Sequence, residues 1–279
     1  MGIRYTAKEV VERLQKELRA GRPLFMPNCG MGLSAKLQEK GGADVICISP
    51  TSWWRLKGQG SLAAFLPYSD CNQIVFELTK EILPVLKEVP AISLSGPHNP
   101  LLPHREHLQK LWDMGVSGVT PMPCKLYDKS FVDQIEHIGM GWSKEVEFIK
   151  VAHEMNMFTW AYVFTPEEAT VFAEVGADVI SGHVGATQGG TIGAKAAMTL
   201  EEAAELTQKI IDAARKVKKD VIVFAHGGPI EGPKEVEYIY KHTGAQGFVG
   251  GSAAERIPLE KGVFESTQIY KNIPFKNKG

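Results

Sequence analysis

Val221-Ile222-Val223-Phe224-Ala225-His226-Gly227-Gly228-Pro229-Ile230 and, shortly after it, Gly247-Phe248-Val249-Gly250-Gly251-Ser252-Ala253-Ala254-Glu255-Arg256 are the stretches whose reading decides the fold. Each is a short apolar run that breaks into a glycine pair. A continuous apolar run of this length reads as a strand buried on both faces, which is the habit of parallel sheets. Glycines just beyond it let the backbone turn sharply and approach a ligand. In a (β/α)8 barrel the loops after strands 7 and 8 commonly cradle a phosphate or another anion.

Working outward, an α-to-β junction recurs. Gly42-Ala43-Asp44-Val45-Ile46, Gly115-Val116-Ser117-Gly118-Val119, Gly176-Ala177-Asp178-Val179-Ile180 and Gly244-Ala245-Gln246-Gly247-Phe248 each place a glycine before an apolar run. Glycine closes a helix in the left-handed conformation, and the strand follows. Strands are expected near residues 23–27, 44–49, 91–95, 118–121, 158–163, 178–181, 221–225 and 247–250, with amphipathic helices between them. Capping signals mark helix starts at Thr6 with Glu9, at Thr165-Pro166-Glu167-Glu168 and at Thr199 with Glu202. The pattern predicts a (β/α)8 TIM barrel with an N-terminal extra helix, residues 1–279 forming one domain.

The expected loops are unequal. Helix-to-strand joints are tight, whereas the strand-to-helix segments 50–72, 122–142 and 182–198 are long. Long loops on one face of a barrel carry function, and active sites of this fold sit on the face where the strands end.

Composition bounds the function. With 279 residues, 44% hydrophobic residues and a net charge of -1, nothing favours a nucleic acid or an anionic membrane as partner. No apolar run is long enough to cross a membrane, and no signal peptide precedes the first helix. The four cysteines, Cys29, Cys47, Cys71 and Cys124, form neither a metal-type pair nor a disulfide framework, which suits reduced thiols in a cytoplasmic protein.

Candidate catalytic residues are His183 and His226, at the ends of strands 6 and 7, where a histidine serves as acid or base. His98, after strand 3, would join them if the three bind a metal that polarises a carbonyl. Ser252 and Glu255 read structurally as a capping box, with proton chemistry as Glu255's other reading. The backbone N–H of Ser252 at a helix start and the Arg256 guanidinium are candidates for an anion. Gly189 and Gly190 in the segment 182–195, Gly227 and Gly228, and Gly250 and Gly251 are the glycines expected to wrap it. Arg55 lies in the long loop after strand 2, beside Trp53 and Trp54, which must pack on something: a lid, an oligomer contact or both. Cys29 reads as a small buried apolar residue. Lysines fall outside the strands, so a Schiff base is not expected.

Gly32-Leu33-Ser34-Ala35-Lys36, Gly58-Gln59-Gly60-Ser61-Leu62-Ala63, Leu66-Pro67-Tyr68, Gly139-Met140-Gly141, Tyr162-Val163-Phe164, the segment from His183 to Gly193-Ala194, His226-Gly227-Gly228-Pro229-Ile230 and Glu255-Arg256-Ile257-Pro258 together resemble the phosphoenolpyruvate hydrolase-like TIM-barrel family, once labelled a predicted signal-transduction barrel. The same barrel forms one part of a plant antiviral resistance protein. The resemblance implies kinship with the phosphoenolpyruvate/pyruvate barrels, which often use Mg²⁺. Where the phosphoenolpyruvate mutase and isocitrate lyase group carries metal-binding acids, this chain reads Ser49-Pro50-Thr51 and Ser95-Gly96-Pro97-His98.

The function expected is cleavage of a C–C or C–O bond, as a lyase or hydrolase, in a small carboxylated or phosphorylated substrate. The only cofactor expected is a divalent metal, Zn²⁺ or Mg²⁺, and a homo-oligomer is expected. The alternative is a barrel that binds a small anion without turnover and serves regulation or complex formation.

Overall fold

The computed structural model describes residues 3–195 and 198–275. Eight parallel strands follow one another around a closed barrel. They are β1 (Leu24–Cys29), β2 (Ile46–Ile48), β3 (Ala91–Ser95), β4 (Gly118–Pro121), β5 (Phe158–Val163), β6 (Val179–His183), β7 (Ile222–His226) and β8 (Gly247–Gly250). Pairing of β1 with β8, Leu24 opposite Gly247, closes the ring. The helices are α1 (Ala7–Arg19), α2 (Gly32–Lys40), α3 (Pro50–Leu56), α4 (Cys71–Ile82), α5 (His104–Met114), α6 (Lys129–His137), α7 (Trp142–Glu154), α8 (Pro166–Glu174), α9 (Leu200–Val217), α10 (Pro233–His242) and α11 (Arg256–Lys271).

The expected (β/α)8 barrel is therefore present. So is the extra helix: α1 starts at Thr6, whose side chain and Glu9 form the capping box read from the sequence. Ala7, Val10 and Leu14 of α1 pack with Met26, Ile92, Trp160, Ile222 and Phe224, side chains that fill the barrel. The helix thus seals the end where the strands begin. Outside the barrel, Ile46, Ile48 and Val119 meet α4, α5 and α7, and Ile180 and Val223 meet α8 and α9.

Some boundaries differ from the sequence reading. β1 runs on to Cys29, and β6 and β7 run through His183 and His226, so both histidines lie inside the ladder, opposite one another. Gly42, Gly115 and Gly176 adopt φ of 91°, 102° and 97°, as their helix-closing role requires. Gly244 does not; its N–H instead donates to the Gln208 side chain at 2.8 Å. The segments 50–72 and 122–142 hold α3 and α6, and residues 196 and 197 of the third lie outside the described residues. No helix begins at Ser252. Residues 252–254 form a single 3-10 turn, Glu255 breaks it at φ -135° ψ -63°, and α11 starts only at Arg256. The Ser252–Glu255 capping box is accordingly absent.

Helix α11 does not lie along β8. It packs chiefly on the 252–254 turn and α3, and Leu259, Val263, Phe264, Ile269 and Tyr270 are exposed along it. Among the described residues no helix is long and apolar enough to cross a membrane.

Candidate active site at the barrel mouth

Strand register builds the centre of the site. His183 and His226 are the last residues of neighbouring strands, in Cα register. Their rings stand 4.7 Å apart and nearly perpendicular, at 81°. Tyr162 on β5 touches both, with ring centroids at 5.4 and 5.1 Å, and Phe164 stacks on His183 at 4.6 Å. Both imidazoles are buried. Burial holds His226 down at about 4; burial and then the neighbouring His226 hold His183 well below its ordinary range. Both rings are neutral at neutral pH.

Hydrogen bonds fix different tautomers. Nδ1 of His226 faces the Val249 carbonyl at 2.9 Å. A carbonyl only accepts, so Nδ1 carries the proton and Nε2 presents a lone pair. Nδ1 of His183 accepts the Gly185 N–H at 3.1 Å, so its proton sits on Nε2. The pair therefore joins one ring that presents a lone pair, able to take a proton, to one that presents an N–H, able to donate a hydrogen bond.

Arg55 reaches the same space from α3. Ser49 caps that helix by accepting Ser52 N–H, and Pro50 pre-sets its first turn. The guanidinium is buried and bonded only to hydroxyls: Nη1 donates to Thr51 and Ser61, each at 3.1 Å, and Nη2 to Ser52. Nε has no partner, and the group makes no ion pair among the described residues. Burial lowers it to about 10, so it stays a cation. A buried cation without a direct ion pair is costly even with the attraction of Glu255, and an anion in the adjacent space would relieve it.

That space is a cavity of about 50 Å³ bounded by Asn28, Arg55, Tyr162, His183, His226 and Ser252, with Leu62, Phe65 and Leu126 as an apolar wall. It suits a small acid. The Asn28 Oδ1 is buried and unpartnered. Gly251 lines it too, and a Cβ there would come within 3.1 Å of His226 Cε1.

The other expected residues are placed differently. Gly227 and Gly228, at φ 86° and 53°, serve the loops themselves: Gly228 N–H donates to Gly185 at 2.8 Å, and Gly228 accepts from Gln188 at 3.1 Å. Gly250 packs on Phe25 and Ala254. Gly189 and Gly190 border Arg256, whose Nη2 donates to the Gly189 carbonyl at 2.9 Å while Nη1 pairs with Glu260 at 3.0 Å. Arg256 thus points away from the cavity. Glu255 spans the barrel closure, accepting Gly30 N–H at 3.0 Å on Oε1, with Oε2 unpartnered. His98 is not with the other histidines: its Nε2 lies 3.3 Å from Glu145 Oε1, beside a second cavity. The three-histidine metal set does not form. Trp53 and Trp54 pack on each other at 5.0 Å, and Trp54 donates to Ser69 at 3.0 Å, so they are settled within the chain. The Cys29 thiol is buried and raised by that burial and by Glu255.

Asn28, Thr51, Ser61 and Tyr162 are not among the site residues expected from the sequence. The ends of β1, β2 and β5 carry the same positional signal as the histidines, but an amide, a hydroxyl and a phenol there are also common structural residues. Nor do the mouth residues suit Mg²⁺, which demands oxygen ligands, usually carboxylates. No carboxylate bounds the cavity, a guanidinium does, and His183 Nε2 is already protonated.

Residues 9–273 match the family described as phosphoenolpyruvate hydrolase-like. The chain is 41% identical over 266 residues to the ToMV susceptible protein tm-1(GCR26) of Solanum lycopersicum, covering 95% of this chain and 35% of that protein. It spans about a third of that relative's length. Among solved structures, phosphonopyruvate hydrolase in complex with oxalate and Mg²⁺ superposes with a TM-score of 0.57 at 16% identity, covering 94% of this chain and 88% of the other. 2,3-Dimethylmalate lyase, a member of the phosphoenolpyruvate mutase/isocitrate lyase superfamily, gives 0.56 at 16% identity, covering 98% and 91%. At such identity these two likenesses speak to the fold.

Proposed function

The chain belongs to the phosphoenolpyruvate hydrolase-like family, and on that premise we propose that it cleaves a C–C or C–O bond in a small carboxylated or phosphorylated substrate. The observation that carries this reading is the buried pair of opposite tautomers, His183 and His226, beside the unpaired Arg55. Arg55 takes the substrate's anionic group, with Ser61 and Ser252 hydroxyls at its side. His226 Nε2 takes a proton, either from water attacking the substrate or from a hydroxyl on the carbon whose bond breaks. In both cases the electron pair of the broken bond leaves with the departing carbon or oxygen, the His226 imidazolium returns its proton to that atom, and the His183 Nε2–H donates a hydrogen bond to the developing charge. Arg55 stabilises the enolate-like charge. The Val249 carbonyl steadies the imidazolium formed on His226. Glu255 and Arg256 support the walls instead of touching substrate, in this reading.

A second reading, anion binding without turnover, draws support from the relative named for virus susceptibility. Calorimetry with oxalate, pyruvate, phosphoenolpyruvate and a 2-hydroxy diacid, on wild type and Arg55→Met, tests the site; NMR of the bound acids over time tests turnover. Binding lost in Arg55→Met with products formed supports the enzyme. Binding without products favours the second reading. Equal binding by both proteins sinks the site.

We further propose that residues 1–279 act as one barrel domain and that the protein works in the cytoplasm, which its four unpaired cysteines suit. A homo-oligomer is also proposed, since α11 leaves its own barrel with apolar side chains exposed. Sedimentation showing a monomer at all concentrations would remove it.

A further inference from the structure

The side chains His98, Cys124 and Glu145 meet on the β3–β4 side of the barrel, away from the histidine pair. His98 follows β3, Cys124 opens the turn after β4, and Glu145 lies in the first turn of α7. Their ligand atoms, an imidazole nitrogen, a thiol sulfur and a carboxylate oxygen, all lie within 4.8 Å of one another. We propose that these three residues form a transition-metal site, best suited to Zn²⁺.

Each component favours that ion. Thiolate, imidazole and carboxylate together match zinc's mixed preferences, whereas Mg²⁺ and Ca²⁺ avoid sulfur. Tetrahedral zinc with bonds of about 2.0–2.3 Å separates its ligand atoms by about 3.3–3.6 Å. His98 Nε2 and Glu145 Oε1 already stand at 3.3 Å. His98 Nε2 is buried without a hydrogen-bond partner, an orphan that an ion would satisfy. Glu145 is only 1% exposed and Cys124 2%, while Glu145 Oε1 is held in place by the Cys124 N–H at 2.7 Å. Binding releases the thiol proton to solvent, and Zn²⁺ with one thiolate, one carboxylate and a neutral imidazole is uncharged overall, which suits a buried place. His98 also lines a cavity of about 290 Å³ with Asn99, His104 and Glu147, so a water from that side can complete the coordination.

The ion would have a mechanical consequence. Cys124 sits between Pro123 and Leu126, both of which border the mouth cavity. Tying Cys124 to the β3 loop and α7 would fix that wall without the metal touching substrate.

The test uses untagged full-length protein, stripped of metal and titrated with Zn²⁺ against a competing chelator. One equivalent per chain is expected for wild type and for His226→Ala, with affinity reduced about a hundredfold or more in Cys124→Ser and His98→Ala. Co²⁺ loaded into wild type should show a thiolate-to-cobalt charge-transfer band that Cys124→Ser lacks. That band needs no folded alanine variant. Absence of the band with sub-stoichiometric zinc in wild type overturns the site, and so does Cys124→Ser binding zinc as wild type does. Loss of zinc in His226→Ala would instead move the metal to the mouth. Turnover plays no part in these readouts, so they stand apart from the proposed chemistry.

Discussion

His183 and His226 lie at one side of the mouth, His98 at the other, and the three part company for a physical reason. The first two are the last residues of β6 and β7, still inside the ladder and in register. Alternation along a strand then dictates where their side chains point, inward to the mouth. His98 comes three residues after Ser95, the end of β3, past the last paired position. Nothing in the sheet sets its direction, and it turns outward to α7 and Glu145. A histidine within a strand end is committed by the barrel; one beyond it is free to join another centre.

The sharpest way to break this comparison is to remove one histidine from each side. His226→Ala should lower kcat/KM by about 10²–10⁴-fold, the usual worth of a general base, whereas His98→Ala should change it less than about threefold. Steady-state kinetics on whichever acid proves to be substrate gives both numbers, and similar losses in the two variants would erase the distinction.

Arg55→Met should weaken anion binding by about 1.5–3 kcal/mol by calorimetry. The same variant should change stability in the absence of ligand by no more than about 2 kcal/mol, because the relief of burying a cation offsets the bonds lost at Thr51, Ser52 and Ser61.

The titration of the mouth pair gives the next effect. Folded His226 takes a proton only near pH 4, whereas the unfolded chain takes it near 6.5. The unfolded state therefore binds more protons in between. Stability is complete above about 6.5 and falls as the pH drops toward 4, by about 2 kcal/mol at pH 5 for this one group. Denaturant titrations at pH 7 and pH 5 should show that loss, and His226→Gln should reduce it. The acid limb of kcat/KM should lie well below 6.5 for the same reason.

The smallest effect is expected at Arg256. Its guanidinium is already held by Glu260 and the Gly189 carbonyl. Arg256→Ala should leave anion affinity within about twofold and cost about 1–3 kcal/mol of stability, since the buried guanidinium's partners lose their donor. A tenfold loss of affinity in calorimetry would bring Arg256 back into the binding site.

The fold was legible in the sequence because its signals are local and repeated. Apolar runs, helix-closing glycines and capping boxes each act within a few residues, and Thr6, Thr165 and Thr199 cap their helices as read. The strand-end histidines were legible for the same reason. What could not be read depends on distant partners. Arg256 is claimed by Gly189, 67 residues away, and Glu255 by Gly30, 225 residues away. The Ser252–Glu255 spacing looks like a cap, yet Glu255 serves that distant N–H. Asn28, Thr51 and Tyr162 needed closure of the ring to appear as neighbours of His226.

Helix α1 closes the far end of the barrel with Ala7, Val10 and Leu14. Kinetically, that leaves a one-door vessel. Under the proposed chemistry, reactant would arrive through the opening by which product departs. Residual product should then act as a competitive inhibitor, because it would sit in the cavity that substrate needs.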